Sequence, residues 1–389
     1  MQTNKTYKGF CLAFAVIAAI ALGLWICQQF LGLGITGMGN QVSWGLYITN
    51  FMFFVGLSAG GLIVASSAHV FNIERFKPVA LPAVIVSTVC ICIAGAFVLV
   101  DLGGITRLWS MLISPNVSSP LVWDMSVIMC YLIINILDLY WMCSKKADPH
   151  KVEVLSRIAL PVAILVHSVT AWIFGLEIGR EGWHSAIMAP IFVASAMDSG
   201  LALLILVLLG MKKTKLLEFG TALQKSISGL LATCIAIDAY LVFCEILTVA
   251  YAGTESGNAI LKEMTTGATA PFFWIEIIMG LAIPFCILVF SRNREKSPLV
   301  AFAAVLVVIG VFCKRVWLLF TSFINANISG APGIPYGTAD ARDAAGSQAW
   351  SLTGSYLPTL PEVCIVIGVI SLGALVFMIL VKKLMKPIR

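Results

Sequence analysis

Charged side chains are scarce in this chain: Asp, Glu, Lys and Arg make up 11% of its 389 residues, against 60% for the hydrophobic set. A soluble domain needs about a quarter of its residues charged to dress a water-facing surface, so the composition excludes one and the solvent is a bilayer. Histidine is scarcer still, with four in the chain. A membrane b-type cytochrome usually holds haem between paired axial histidines on neighbouring helices, and His167 alone sits deep in an apolar run, which argues against a multi-haem protein. Although there are 11 cysteines, no Cys-x-x-Cys or Cys-x-x-Cys-His spacing occurs. An iron–sulfur, zinc or covalent haem site is therefore not expected, and the cysteines read as packing or lipid-facing residues. Apolar–polar alternation is missing too, which excludes an outer-membrane barrel.

What is present is a series of long apolar runs. At about 20 apolar residues per crossing the length has room for roughly ten helical spans. Hydropathy, broken by turn residues and charges, places them at 9–33, 46–71, 79–101, 124–143, 158–179, 185–211, 227–251, 271–291, 299–323 and 363–385. The expected fold is an all-α integral membrane protein forming a single transmembrane domain over 1–389. The first run is longer than the apolar core of a signal peptide and lacks a small-x-small cleavage site, so it reads as a retained helix.

The formal net charge is +6, but placement says more than the sum. Of 25 Lys and Arg residues, 19 fall at the N-terminus, at the C-terminal end and in the connections 72–78, 144–157, 212–226 and 292–298. Four fall on the opposite side (Arg107, Arg180, Lys262 and Arg342), and Lys314 with Arg315 lie inside a span. The positive-inside rule then puts both termini in the cytoplasm of an inner-membrane protein. An even number of spans follows, in agreement with hydropathy. The basic residues record orientation in lipid and give no sign of a nucleic-acid partner. The opposite side carries the longer connections, 102–123 and above all 324–362, with Trp109, Tyr336, Trp350 and Tyr356. They read either as solvated loops with interfacial anchors or as a surface on which a partner protein docks.

Ionisable residues inside a membrane are costly and mark functional sites by default. His167 in the fifth span and Asp198 in the sixth lie about fifteen positions either side of Gly182, hence at a common depth of roughly 20 Å on antiparallel helices. A neutral His can take a hydroxyl proton, and a carboxylate can orient the imidazole or take a second proton. Quinol oxidation needs such a pair, while a structural His–Asp pair fixing helix register is the plainer account. A second set comprises Asp238, Glu245, Glu276, Lys314 and Arg315; Asp238 and Glu245 are seven positions apart on one helical face. It reads as mutually neutralised ion pairs or as a hydrated proton path. Trp44, Asp101, Glu177, Trp183 and His184, with Asp124 and Arg180, crowd the outer helix ends as candidate support for a site. Asp138 is an inner-half acid without an evident partner. His69 and His150 fall at or beyond the cytoplasmic ends.

Three stretches together resemble the NrfD/polysulfide reductase (PsrC) membrane-subunit family, in its longer ten-helix branch: Trp44-Gly45 followed by Ser58-Ala59-Gly60-Gly61; His167-Ser168-Val169-Thr170-Ala171-Trp172 through Gly182-Trp183-His184-Ser185-Ala186 to Asp198-Ser199-Gly200; and Phe273-Trp274-Ile275-Glu276. The resemblance implies two four-helix bundles, 46–179 and 185–323, two peripheral helices, and the extracytoplasmic loop 324–362. It implies a subunit, active only within a complex, that oxidises quinol or reduces quinone, menaquinone or ubiquinone, at a His–Asp pair matching His167 and Asp198. The chain would have no haem or cluster of its own. It would exchange electrons with an extracytoplasmic ferredoxin-like iron–sulfur subunit, with a molybdopterin or other catalytic subunit beyond it. Two readings from other classes stand beside this one: a proton-coupled secondary transporter, with Glu245, Glu276, Lys314 and Arg315 as its coupling site, and a passive membrane anchor.

Overall fold

The computed structural model describes residues 2–39, 42–70, 73–144, 149–324 and 356–385, with side chains from residue 6 on and those of His69 and Pro149 left aside. Lys145, Lys146, Tyr336, Arg342, Trp350, Lys386 and Arg389 lie outside the described residues, as does most of the connection 324–362.

Among the described residues, ten helices are long and apolar enough to cross a membrane. They are α1 Gln2–Leu31, α2 Leu46–Val70, α3 Lys77–Asp101, α4 Pro120–Cys143 and α5 Pro149–Gly175. There follow α6 Met188–Lys213, α7 Thr221–Ala252, α8 Ala270–Leu288, α9 Ser297–Ile324 and α10 Leu360–Leu384. Each matches an expected span because lipid offers the backbone no hydrogen-bond partner, so an apolar run of this length must become a helix. The boundaries shift where polar turns continue a helix into water. In α5 the extension carries an i,i+4 pair, Arg157 to Glu153 at 2.5 Å. In α7 it is held by Gln224, which donates to the Arg294 carbonyl at 2.9 Å and accepts from Ser297 at 2.8 Å.

Two features escape a hydropathy reading. A further helix, Glu255–Thr266, sits between α7 and α8, capped by the Thr254 hydroxyl accepting from the Gly257 N–H at 3.1 Å. Within α8 the turns from Ile275 to Ala282 are a π-helix, followed at once by Pro284. Proline has no N–H to close an α-turn, and the wider π-turn absorbs the lost bond.

Burial ranks the helices. Of the most apolar window of α2, 94% is buried inside the protein, against 6% for α1, so α2 is central and α1 faces lipid. Around α2 pack α3, α5, α6 and α9; α4 touches α3 and α5; α6 touches α7 and α9; α8 lies on α9; and α10 joins α1 to α3. The central crossing of α2 and α6 is a glycine contact. A methyl on Gly60 would lie 2.0 Å from the Gly200 carbonyl carbon, and one on Gly200 would lie 2.3 Å from the Gly60 nitrogen. Small residues let membrane helices approach this closely, and here two motifs distant in sequence meet backbone to backbone. Gly280 of α8 and Gly310 of α9 make a similar contact.

Candidate functional site

The α2–α6 crossing fixes Asp198, two residues before Gly200, in the protein interior. Its side chain is completely buried, and neither carboxylate oxygen has a hydrogen-bond partner among the described residues. On α5, His167 is also buried and its Nε2 has none. No hydrogen bond joins His167 to Asp198 among the described residues. A third group completes the set. Arg315 of α9 is fully buried, donates from Nη2 to Ser195 Oγ at 2.7 Å, and lies 4.0 Å over the Phe192 ring. Its Nε and Nη1 are unpartnered.

Helical spacing explains the grouping. Phe192, Ser195 and Asp198 are three apart, so they line one face of α6, and Arg315 runs along that face. Depth agrees as well. His167 is eight residues before the end of α5, Asp198 ten after the start of α6, and Arg315 nine before the end of α9. At 1.5 Å per residue all three sit about 12–15 Å below the helix ends. This is shallower than the roughly 20 Å expected from helical rise alone, because residues 176–187 form turns and no helix.

Lys314 is Arg315's neighbour in sequence and points elsewhere, since consecutive helical residues are about 100° apart. Its ammonium lies 2.9 and 3.0 Å from the two Asp238 oxygens and 3.2 Å from Glu276 Oε1. The Trp317 indole donates to Glu276 Oε2 at 2.5 Å. Glu276 rides on the π-helix of α8. Asp238, Glu276 and Lys314 thus form a closed cluster of α7, α8 and α9. Glu245 does not join it and instead accepts from Ser185 Oγ at 2.7 Å in the α5–α6 connection.

The family model described as polysulphide reductase, NrfD, matches residues 34–327. The chain is 35% identical to a provisionally named dimethyl sulfoxide reductase membrane subunit of Halobacterium salinarum, over 95% of this chain and 89% of that one. It is 25% identical to a selenate reductase subunit of Mesobacillus selenatarsenatis, over 97% and 93% of the two chains. It is 27% identical to the Hdr-like menaquinol oxidoreductase integral membrane subunit of Archaeoglobus fulgidus, over 96% and 92%.

The chain belongs to the NrfD family.

It is an integral, multi-pass membrane protein and a membrane subunit of an oxidoreductase complex. In this NrfD protein the residues at the helix ends nearest the site divide into two groups. Trp44 stacks on Trp183 with centroids 6.0 Å apart, and Phe174 meets both edge-on at 5.6 and 5.2 Å. The Trp183 indole donates to the Leu318 carbonyl at 2.9 Å, and Arg180 donates to the Ser322 carbonyl at 3.0 Å while covering Phe323. Burial holds the Arg180 guanidinium below its ordinary pKa, with Glu177 acting against that shift. Phe174 also stacks on Phe192, so aromatic rings continue from this cap to the ring beneath Arg315. His184 hydrogen-bonds through Nδ1 with the Gly175 carbonyl at 3.1 Å, closing the end of α5.

Asp101 stands apart from the cap. Its Oδ1 has no hydrogen-bond partner among the described residues, and Tyr47 of α2 donates to Gln28 of α1 at 2.8 Å. Nearby, Tyr356 stacks on Phe320 with centroids 4.7 Å apart, donates to the Glu362 carboxylate and accepts from the Leu46 N–H at 2.7 Å. Burial, and then Glu362, raise the Tyr356 phenol above its ordinary pKa. Among the described residues no group of three His, Cys, Asp or Glu side chains is placed to hold a metal ion.

Proposed function

We propose that this protein binds quinol, or quinone in the reverse direction, where α5, α6 and α9 bring His167, Asp198 and Arg315 to one depth. The observation that carries the reading is the unpartnered state of their polar atoms: His167 Nε2, both Asp198 oxygens, and Arg315 Nε and Nη1. Buried polar groups are nearly always hydrogen-bonded, and each left unmade costs about 1–3 kcal/mol. A flat apolar ring with two oxygens satisfies such a set. One quinol hydroxyl donates to His167 Nε2 and the other to Asp198, while Arg315 donates to a ring oxygen. Oxidation releases two protons and two electrons; His167 and Asp198 accept the protons as general bases. The electrons pass to an iron–sulfur subunit, itself served by a molybdopterin or other catalytic subunit. The relative from Archaeoglobus fulgidus, named for menaquinol, supports quinol as the substrate class.

The partner's docking face, in this reading, is the side of the 102–119, 176–187 and 253–269 connections. Trp109, Ile113, Val117 and Ile178 are exposed there, a concentration of large apolar side chains suited to a partner. The basic-residue count makes this face extracytoplasmic and both termini cytoplasmic. The ring of contacts α2–α3–α4–α5 and the ring α6–α7–α8–α9 support a division into two four-helix bundles, with α1 and α10 peripheral.

The test is His167→Ala in an assembled complex. Quinol-linked turnover is lost, while turnover with artificial electron dyes, which bypass the membrane site, persists. Wild-type quinol turnover in that variant overturns the assignment and favours a passive anchor.

A further inference from the structure

One buried polar row is not used by the site and runs away from it along α4. Asp124, Tyr131, Asn135 and Asp138 are spaced seven, four and three residues apart, which places them on a single helical face. All four are buried, with exposures of 0–4%. Asp124 is tied to the site helix by the Thr170 hydroxyl of α5, which donates to Oδ1 at 2.6 Å. His167 is one turn below Thr170 on the same face of α5. Deeper, the Tyr131 hydroxyl lies 2.9 Å from Ser87 Oγ of α3 and donates to the Ser58 carbonyl of α2 at 3.1 Å. Asn135 Oδ1 accepts from Thr88 of α3 at 3.4 Å, and Asn135 Nδ2 donates to the Tyr131 carbonyl at 2.9 Å. Asp138 ends the row. Its Oδ1 has no partner, although the residue is only 2% exposed.

Interhelical glue accounts for the members that are paired, since polar side chains between membrane helices hydrogen-bond for a modest gain. It does not account for Asp138. An acid buried at this depth without a partner for Oδ1 is a cost that glue does not offset, and in a membrane span it marks a proton-handling position. From Asp124 to Asp138 the row covers about 21 Å of helix axis, most of the distance across the hydrocarbon layer. Asp138 is five residues from Cys143, where α4 ends on the side opposite the aromatic cap. The two ends of the row are thus a site-linked acid and an acid near the other face, with hydroxyls between. Ser66, fully buried on α2 with an unpartnered Oγ, is four residues from the end of α2 on that same side. It adds a further unsatisfied hydroxyl at the depth where the row finishes.

We propose that the protons of the quinol site are exchanged with the face on which α4 ends, through Tyr131, its Ser87 partner, Asn135 with Thr88, and Asp138. The inference rests on the quinol reading of His167 and Asp198. In the oxidative direction quinol gives quinone, two protons and two electrons, and the electrons leave to the iron–sulfur partner. A proton held at His167 Nε2 passes to the Tyr131–Ser87 hydroxyl pair, then past Asn135 and Thr88 to the Asp138 carboxylate. Single waters span the intervening gaps, as they routinely bridge buried polar groups. Asp138 releases the proton to solvent at the end of α4. Quinone reduction runs the same route backwards. The Lys314–Asp238–Glu276 cluster lies off this route and takes no part in it.

The test uses the whole complex in sealed proteoliposomes, with a short-chain menaquinol as donor and ferricyanide, which accepts electrons but no protons, as acceptor. A pH-sensitive dye reports each side separately. In the wild type, protons appear on the side of the α4 C-terminus. Asp138→Asn and Tyr131→Phe slow quinol oxidation at least tenfold and raise its solvent isotope effect, and Asp138→Glu restores the rate. If Asp138→Asn fails to assemble, Tyr131→Phe and Asp138→Glu still give the reading. Protons appearing on the capped side, or wild-type rates in both Asp138→Asn and Tyr131→Phe, overturn the route. His167→Ala separates the two ideas: a dead His167→Ala beside normal Asp138→Asn and Tyr131→Phe removes the route and leaves the site, whereas a fully active His167→Ala removes the site itself.

Discussion

Two adjacent residues of α9 open onto two different kinds of interior. Lys314 is enclosed by Asp238 and Glu276, with Trp317 donating to the other Glu276 oxygen, so its charge is paired on two sides. Arg315, one residue on, has a single hydrogen bond, to Ser195 of α6, and two nitrogens without a partner among the described residues, and Asp198 on the same face of α6 accepts none. The first arrangement has the character of structure: every charge is answered, and removing one member leaves the others exposed to a low dielectric. The second is where the proposed quinol site lies, and in that proposal a molecule that brings oxygens of its own completes it. Both Asp238 oxygens and Glu276 Oε2 are hydrogen-bonded and Glu276 Oε1 has an ion-pair contact at 3.2 Å, whereas neither Asp198 oxygen has a partner among the described residues. The charge count points the same way. Asp198, Asp238 and Glu276 face Lys314 and Arg315, so with all five ionised the set carries one net negative charge, which a single proton cancels.

Three substitutions sharpen or break this contrast. The largest effect belongs to Lys314→Met. Breaking a buried pair by removing one partner costs about 3–5 kcal/mol, so the variant is expected to lose most of its assembled complex, read as yield and melting temperature after detergent extraction. Adding Asp238→Asn and Glu276→Gln restores part of that loss. A stable, fully assembled Lys314→Met would show that the cluster is not structural.

Arg315→Lys comes next and is expected to act on turnover while leaving assembly intact. It keeps the charge but loses the planar fork of donors. A hydrogen bond to a charged group is worth about 1.5–3 kcal/mol, so the KM for quinol rises roughly ten- to a hundredfold while the melting temperature stays near that of the wild type. A drop in melting temperature comparable to that of Lys314→Met would erase the distinction between the two residues.

The smallest effect lies outside the membrane. Lys225 donates to Glu295 at 2.8 Å and holds that carboxylate below its ordinary pKa. A lowered acid adds stability above the ordinary carboxylate range and loses it as pH falls through the lowered value. Both side chains are exposed, however, and exposed pairs contribute little. Glu295→Gln is therefore expected to leave the melting temperature unchanged at neutral pH and to flatten its acid-side slope only slightly. A large shift would mean that water-facing ion pairs matter here as much as the buried cluster does.

Much of the site is legible before folding, and the reasons are specific. His167 and Asp198 stand out because few ionisable residues occur inside the apolar runs, and their distances from Gly182 put them at one depth. Arg315 is legible in the sequence only as Lys314's neighbour in the set with Asp238, Glu245 and Glu276. Nothing in the pair Lys314-Arg315 says which faces α6 and which faces α7; the hint lies in the threefold spacing of Phe192, Ser195 and Asp198, a face shaped to receive a guanidinium. Glu245 misleads in the opposite direction. Seven residues from Asp238 it shares a face, but about 10 Å of helix axis separates them, and Ser185 is its partner. The row along α4 is present in the spacing of Asp124, Tyr131, Asn135 and Asp138, yet the polar neighbours of Tyr131 and Asn135 come from α2 and α3, which no local pattern discloses.

The sequence by itself determined the solvent and the ten apolar spans, because a bilayer tests each segment separately: twenty apolar residues must form a helix wherever they lie. Only the tertiary structure decided which charges are answered and which wait for a partner. That depends on how α2 meets α6 at Gly60 and Gly200, how the π-turn of α8 turns Glu276 towards Lys314, and which side of α9 Arg315 occupies. Those are relations between helices far apart in the chain, fixed by close packing and by the high cost of an unpartnered charge in lipid.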